Sequence, residues 1–193
     1  CLVGSEMCIR DSIILTIVEI IFLLIGKMPL FDTLCLSFGT AGTGGFGIKN
    51  DSIASYSTYN QVVITVFMIL FGINFNAYYL LLTKKVMQAA KNEEVRYYLG
   101  IIGLAIVAIA INTREMFTSF GSAFQQAAFQ VGSIITTTGY ATTDFNVWPV
   151  FSKTILVILM FVGACAGSTG GGFKCGRLLL VFKSLRRNIQ KML

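Results

Sequence analysis

The chain has 193 residues, of which 55% are hydrophobic and only 12% are charged, and its net charge is +6. Soluble domains carry about 25% charged residues, so the mean hydropathy of +0.75 argues against an ordinary soluble domain. The apolar residues form continuous runs, as in helices that face lipid. We therefore predict an all-α membrane protein. The sequence has no histidine, the commonest general base, and we predict that the chain is not an enzyme.

The basic residues lie beside apolar runs and do not form a polar domain that would bind nucleic acid. Ten of the fifteen Lys and Arg residues fall in segments 83–96 and 174–191. The positive-inside rule places both segments in the cytoplasm, so the two loops described below, on the opposite side, enter from outside. The five cysteines include no C-x-x-C pair, so we predict neither a zinc site nor a disulfide framework, and no bound cofactor.

The first twelve residues, CLVGSEMCIRDS, mix charged and small residues and stop abruptly at an apolar run. They resemble translated adapter sequence, so we expect residues 1–12 to be non-native and the chain to be a fragment. Residues 13–26 would form a helix of about 21 Å against about 30 Å of hydrocarbon, the remaining end of a spanning helix. Glu19 in this run is either a functional carboxyl at membrane depth or a helix-packing contact.

Short and long apolar segments then alternate along the chain. Short helices are predicted at 29–41 and 120–135, and full spans at 61–82, 97–111 and 150–182. Amides inside the membrane need protein partners. We therefore expect five amide side chains to face the protein interior: Asn74, Asn76, Gln125, Gln126 and Gln130.

Each short helix is followed by a loop, and the two loops have the features of an internal repeat. The first loop, residues 42–47, reads GTGGFG, and the second loop, residues 136–141, reads TTTGYA. Aligning the aromatic residues places Thr43 opposite Thr137 and Gly45 opposite Gly139. Glycine tolerates positive φ, so successive carbonyls can face one axis, as in the filters of cation-selective pores. The predicted filter residues are Thr43, Gly44, Gly45, Phe46, Thr136, Thr137, Thr138, Gly139 and Tyr140.

The last apolar segment is interrupted by the sequence GACAGSTGGG at 163–172. A continuous helix over 150–182 would be about 50 Å long, too long for an untilted span. Its length favours an unwound intramembrane loop, although Gly163 and Gly167 could instead form a helix-packing motif. A phosphate loop does not fit, because Phe173 separates Gly172 from Lys174. The predicted loop residues are Gly163, Gly167, Ser168, Thr169, Gly170, Gly171, Gly172 and Lys174.

These motifs resemble the Trk/Ktr/HKT superfamily of potassium transport proteins, and within it most closely the bacterial Trk-type membrane subunit. The resemblance covers residues 13–193. It is carried by FD at 31–32 leading to TGGF at 43–46, NEEVRYY at 92–98, QVGS at 130–133 leading to TTTGYATTDF at 136–145, and GACAGSTGGGFK at 163–174.

The resemblance implies four units of helix, pore helix, filter loop and helix around a single pore. Residues 13–94 would be the second unit, with a truncated front helix, and residues 95–193 the third. It implies potassium as the transported ion and a gating function for the loop at 163–174, where Lys174 could repel cations or hold the closed state. The two loops alone leave the choice between potassium and sodium open.

The resemblance also implies a multi-pass protein of the bacterial plasma (inner) membrane that forms a homodimer of full-length protomers. A cytosolic nucleotide-binding regulatory subunit would dock on the basic face that includes Arg186 and Arg187. The residues leave three function classes open: a cation-uptake pore, a non-conducting membrane scaffold or assembly subunit, and an intramembrane enzyme. Duplicated loops have no purpose in a scaffold, which favours the pore.

Overall fold

The computed structural model describes residues 2–82 and 92–192. Within these ranges the chain forms eight α-helices, two 3₁₀ turns and one isolated β-bridge. The α-helices are α1 (Leu2–Ile25), α2 (Leu30–Ala41), α3 (Thr58–Phe71), α4 (Phe75–Leu82), α5 (Glu93–Asn112), α6 (Phe120–Ile135), α7 (Val150–Phe161) and α8 (Cys175–Met192). Most of the polar connection predicted at 83–96 lies outside the described residues.

The two short helices form where the sequence predicts them. Helix α2 begins directly after Pro29, whose fixed φ favours a helix start. Helix α6 has the predicted bounds and begins with a capping box, in which Ser119 and Ser122 each bond the backbone of the other. Neither helix is long enough to cross a bilayer.

Helix α1 is continuous from Leu2 to Ile25, so residues 2–12 extend the predicted apolar helix toward the N-terminus. This conformation does not bear on the origin of the first twelve residues, and their assignment as adapter sequence stays a prediction. Glu19 is fully buried at 0% exposure, and its carboxyl faces Thr40 of α2. The side chain therefore lies at a helix contact inside the protein.

The span predicted at 61–82 is wrong, because it is broken between α3 and α4. The backbone carbonyls at the end of α3 bind groups from other parts of the chain. The Ile69 carbonyl accepts from the Tyr98 hydroxyl at 3.2 Å, and the Gly72 carbonyl accepts from the Cys165 amide at 3.0 Å. These long-range partners replace helical hydrogen bonds and stop the helix.

The break between α3 and α4 also determines the environments of Asn74 and Asn76. The Asn74 side-chain oxygen accepts from the Asn76 amide at 2.9 Å, so Asn74 caps the start of α4. Asn74 is half-buried, as predicted, and donates to the Glu94 carboxylate at 3.4 Å. The prediction is wrong for Asn76, which is exposed, because the first turn of α4 directs it outward.

In the described residues, α5 is the one helix long and apolar enough to cross a membrane by itself. It begins at Glu93 rather than at the predicted Tyr97, because the Asn92 side chain accepts from the Glu94 amide at 3.2 Å and caps the helix. Three helices, α2, α3 and α7, are apolar but shorter.

Two hydrophobic clusters hold the helices together. The first lies among α1 to α4 and contains Leu23, Leu36, Ile64 and Met68. The second lies among α5 to α8. Phe129 of α6 and Tyr140 of the second loop belong to the first cluster, so the second half of the chain is packed into the first.

Candidate ion filter and intramembrane loop

The two loops continue their short helices with the same hydrogen-bond pattern. Three consecutive amides of each loop bind back to three carbonyls in the last turns of the preceding helix. The bonds run from Gly42, Thr43 and Gly44 to Phe38, Thr40 and Gly39 in the first loop, and from Thr136, Thr137 and Thr138 to Gly132, Ile134 and Ser133 in the second. The two loops therefore share one backbone scheme.

The same alignment also matches the unusual backbone dihedrals of the loops. Thr43 and Gly45 have φ of 50° and 69°, and Thr137 and Gly139 have φ of 59° and 89°. The residue between each pair has a negative φ, so the hand of the backbone alternates. Such an alternation can turn successive carbonyls toward one side, as a carbonyl-lined filter requires. Positive φ in a β-branched threonine is strained, and such strain is concentrated at functional sites.

The loops contact each other through their backbones. A Cβ atom added at Gly45 would lie 1.8 Å from the Thr138 carbonyl oxygen and 3.2 Å from the Gly139 Cα. A Cβ added at Gly139 would meet no atom within 4 Å. The close contact and the positive φ both require glycine at position 45. At position 139 only the positive φ does, because a Cβ atom there would face open space.

The two aligned aromatic residues have different environments. Tyr140 is 1% exposed, its hydroxyl donates to the Leu36 carbonyl of α2 at 3.2 Å, and its carbonyl accepts from the Ser133 hydroxyl at 2.6 Å. Phe46 is 86% exposed. The Tyr140 side chain thus anchors the second loop to the first short helix.

The glutamines of α6 bind protein groups, as predicted. Gln125 donates to the Gln61 side chain at 3.1 Å, and Gln130 donates to the Thr143 carbonyl at 3.1 Å. Gln126 accepts from the Thr142 hydroxyl at 2.5 Å. These bonds tie α6 to α3 and to the chain that follows the second loop.

Between α7 and α8 the chain leaves the helical conformation over residues 162–174. We call this segment the intramembrane loop, after the prediction from the sequence. Its ends pair through a parallel bridge between Val162 and Phe173. The Gly163 amide donates to the Phe173 carbonyl at 3.0 Å. Gly163 and Gly167 lie outside any helix, so the alternative of a helix-packing motif is wrong.

The intramembrane loop contacts both of the other loops. The Gly171 amide donates to the Thr137 hydroxyl at 2.7 Å, and the Thr43 hydroxyl donates to the Thr169 carbonyl at 3.4 Å. The Lys174 ammonium donates to the Gly170 carbonyl, four residues earlier in the same loop. The structure thus brings the predicted filter and loop residues into one cluster.

The intramembrane loop also packs against the break between α3 and α4. The Cys165 amide donates to the Gly72 carbonyl at 3.0 Å, and the Gly167 carbonyl accepts from the Phe75 amide at 3.3 Å. Glu94 joins this contact through its carboxylate. The sequence analysis did not single out Gly72 or Glu94 as site residues. An acidic pair at a helix start signals only the helix terminus, and the distant partners are set by the tertiary fold.

Comparisons with known proteins agree with this architecture. The family model of the TrkH cation transport proteins matches residues 97–192. The chain is 30% identical over 184 residues to the Trk system potassium uptake protein TrkH of Salmonella typhimurium, and 32% identical over 169 residues to TrkG of Escherichia coli (strain K12). It matches the crystal structure of the potassium transporter TrkH from Vibrio parahaemolyticus with a TM-score of 0.85 and 32% identity, over 92% of the chain. The chain is similar to the TrkH proteins over most of its own length.

The TrkH relatives confirm the predicted superfamily and a helical membrane-protein fold. They are named as transport proteins, which confirms that the chain is not an enzyme. The alignments cover 93% and 86% of this chain but only 38% of the Salmonella protein and 35% of the Escherichia protein. The match to the Vibrio structure covers 39% of that chain.

Proposed function

We propose that this chain forms part of a membrane pore for the uptake of potassium, a monovalent cation, through a filter of backbone carbonyls. One observation carries the proposal: two loops share the same hydrogen bonds to their helices and the same pattern of positive φ. The relatives TrkH and TrkG are named as potassium uptake proteins. The proposed ion ligands are carbonyls of residues 43–45 and 137–139.

The geometry supports cation binding through two physical effects. Carbonyls that face one axis can replace the hydration shell of an ion. Each loop also follows the C-terminus of a short helix, α2 or α6, where the helix dipole supplies partial negative charge. The hydroxyls of Thr43 and Thr137 are bound to the intramembrane loop, so in this conformation the carbonyls are the available ligands.

We assign the gate to the intramembrane loop, because it lies directly against both filter loops. The bond from Lys174 to the Gly170 carbonyl folds the loop onto itself. Opening of the gate would require two hydrogen bonds to break: the bond between Gly171 and Thr137, and the bond between Thr169 and Thr43. The positive charge of Lys174 would repel cations as long as the loop stays in place.

The family supports a wider assembly for this chain. Residues 13–94 and 95–193 would be the second and third of four pore units in a multi-pass protein of the bacterial inner membrane. Full-length protomers would pair as a homodimer, and a cytosolic nucleotide-binding regulatory subunit would bind the basic surface around Arg186 and Arg187. Both arginines are exposed on α8.

Uptake of rubidium, a potassium analogue, into liposomes that contain the complete protein tests this function. We expect uptake that potassium suppresses more strongly than sodium does. A non-conducting scaffold would give no uptake above that of empty liposomes. A variant of Gly139 that is inserted normally but does not take up rubidium would link the flux to the second loop.

A further inference from the structure

A single carboxylate binds both the intramembrane loop and the first turn of α8. Glu94 lies in the first turn of α5, and its Oε1 accepts from the Ala166 amide at 2.6 Å and from the Gly176 amide at 3.0 Å. Its Oε2 accepts from the side-chain amide of Asn74 at 3.4 Å. Ala166 lies in the loop, Gly176 in the first turn of α8, and Asn74 in the break before α4. Glu94 thus joins both interrupted segments.

The chemistry around Glu94 favours a carboxylate. Hydrogen bonds from backbone amides to an ionised carboxylate are stronger than those between neutral groups. The Gly176 amide belongs to the first turn of α8, where amides lack helical partners and negative charge is stabilised. A Cβ atom at Gly176 would lie 2.7 Å from the Glu94 Oε1. Glycine at this position therefore leaves the space that the carboxylate occupies.

We infer that Glu94 is a positioning residue that holds the intramembrane loop closed and releases it when the start of α5 moves. The inference rests on the proposed gating function of that loop. Glu94 is placed by Asn92, whose side chain accepts from the Glu94 amide at 3.2 Å. A movement of the first turn of α5 would therefore take the carboxylate away from the Ala166 and Gly176 amides.

The neighbouring residue provides a matched control. Glu93 carries the same charge on the same helix turn, but it is exposed and its carboxylate binds the Lys183 ammonium on the surface of α8. Exposed ion pairs of this kind contribute little to stability. Glu93→Gln therefore removes the same charge as Glu94→Gln without removing a contact to the loop.

Two buried cysteines report on the loop without any measurement of transport. Cys165 precedes Ala166 and is 0% exposed, and Cys175 precedes Gly176 and is 2% exposed. Alkylation of the complete protein by N-ethylmaleimide, followed by peptide mass spectrometry, gives the rate at each thiol. In Glu94→Gln we expect alkylation of Cys165 and Cys175 to be about tenfold faster. The neutral amide oxygen accepts more weakly from Ala166 and Gly176, and the NH₂ group cannot accept from Asn74, so local opening becomes easier. Glu93→Gln should change the rate less than about twofold by the same reasoning.

A second variant perturbs the same contact and leaves the charge in place. Gly176→Ala introduces a methyl group into the space of the carboxylate, and it should also accelerate alkylation of Cys165 and Cys175. Alanine is the better helix former, so a purely helical effect would act in the opposite direction. Gly103→Ala in α5 is the control, because a Cβ atom there would meet nothing within 4 Å.

The outcomes separate this inference from the proposed function. Faster alkylation at Cys165 and Cys175, with Cys35 unchanged, supports the positioning function of Glu94 even if the protein shows no ion flux. If the flux exists, Glu94→Gln should increase it and leave the preference for potassium over sodium unchanged. Unchanged alkylation in both Glu94→Gln and Gly176→Ala would overturn the inference. Equal acceleration at Cys35 would also overturn it, because it would indicate general unfolding.

Discussion

The amide of Gly171 donates a hydrogen bond of 2.7 Å to the hydroxyl of Thr137. The two residues are far apart in sequence, one in the intramembrane loop and the other in the second filter loop. Thr137 also has a φ of 59°, an uncommon conformation for a β-branched residue. A strained threonine therefore connects the proposed gate to the proposed filter. Any movement of the intramembrane loop must either break this bond or move Thr137 with the loop.

The first prediction concerns this bond. Thr137→Val removes the acceptor of the Gly171 amide. Because Gly171 is exposed, we expect a cost of about 0.5–1.5 kcal/mol. We expect a lower melting temperature in detergent and a higher basal rubidium flux. Thr137→Ser is the control, because it keeps the hydroxyl and removes the β-branch. Equal behaviour of the two variants would contradict the proposed function of the hydroxyl.

The second prediction compares the two filter glycines. Gly139→Ala should abolish rubidium uptake or its preference for potassium while the protein is still expressed, because alanine strains a backbone at φ 89°. Gly45→Ala should in addition lower the amount of folded protein, since its Cβ would lie 1.8 Å from the Thr138 oxygen. Uptake and membrane abundance are measured together. Gly100→Ala in α5, where a Cβ meets nothing within 4 Å, should behave as the unmodified protein.

The third prediction concerns the gate. Lys174→Ala removes the ammonium that binds the Gly170 carbonyl, and we expect a higher ion flux with an unchanged ratio of potassium to sodium uptake. Deletion of one glycine from residues 170–172 should act in the same direction. Lys153→Ala is the control, because Lys153 binds the Asn146 carbonyl at 3.1 Å, away from the loop. A loss of selectivity with normal gating would assign the loop to the filter instead.

The fourth prediction concerns the anchor of the second loop. Tyr140→Phe removes the hydroxyl that donates to the Leu36 carbonyl at 3.2 Å, and it should lower the free energy of unfolding by roughly 1 kcal/mol. Thermal denaturation in detergent measures this change. Tyr59→Phe, at a side chain that is 43% exposed, should have little effect. A stability loss of the same size in both variants would show that the Leu36 contact is not the cause.

The sequence predicts the local elements of this fold well. Pro29 indicates the start of α2, and the apolar period of residues 120–135 gives α6 its bounds. Alignment of the aromatic residues pairs Thr43 with Thr137 and Gly45 with Gly139, and all four residues have positive φ. These features depend on neighbouring residues, so they can be recognised in the sequence.

The long-range contacts could not be predicted in this way. The sequence of residues 61–82 is apolar enough for a span, but the helix breaks where Gly72 accepts from Cys165. Glu94 is similar, because its amide partners at Ala166 and Gly176 lie on a distant part of the chain. Such breaks are determined by which carbonyls and amides meet in the tertiary fold.

The most direct test of the proposed filter is the position of the ion itself. Crystals of the complete protein grown with rubidium would show the ion by its anomalous scattering. We predict a peak at the carbonyls of residues 43–45 and 137–139, which disappears in Gly139→Ala. A transporting protein whose rubidium peak lies away from both loops would contradict the account.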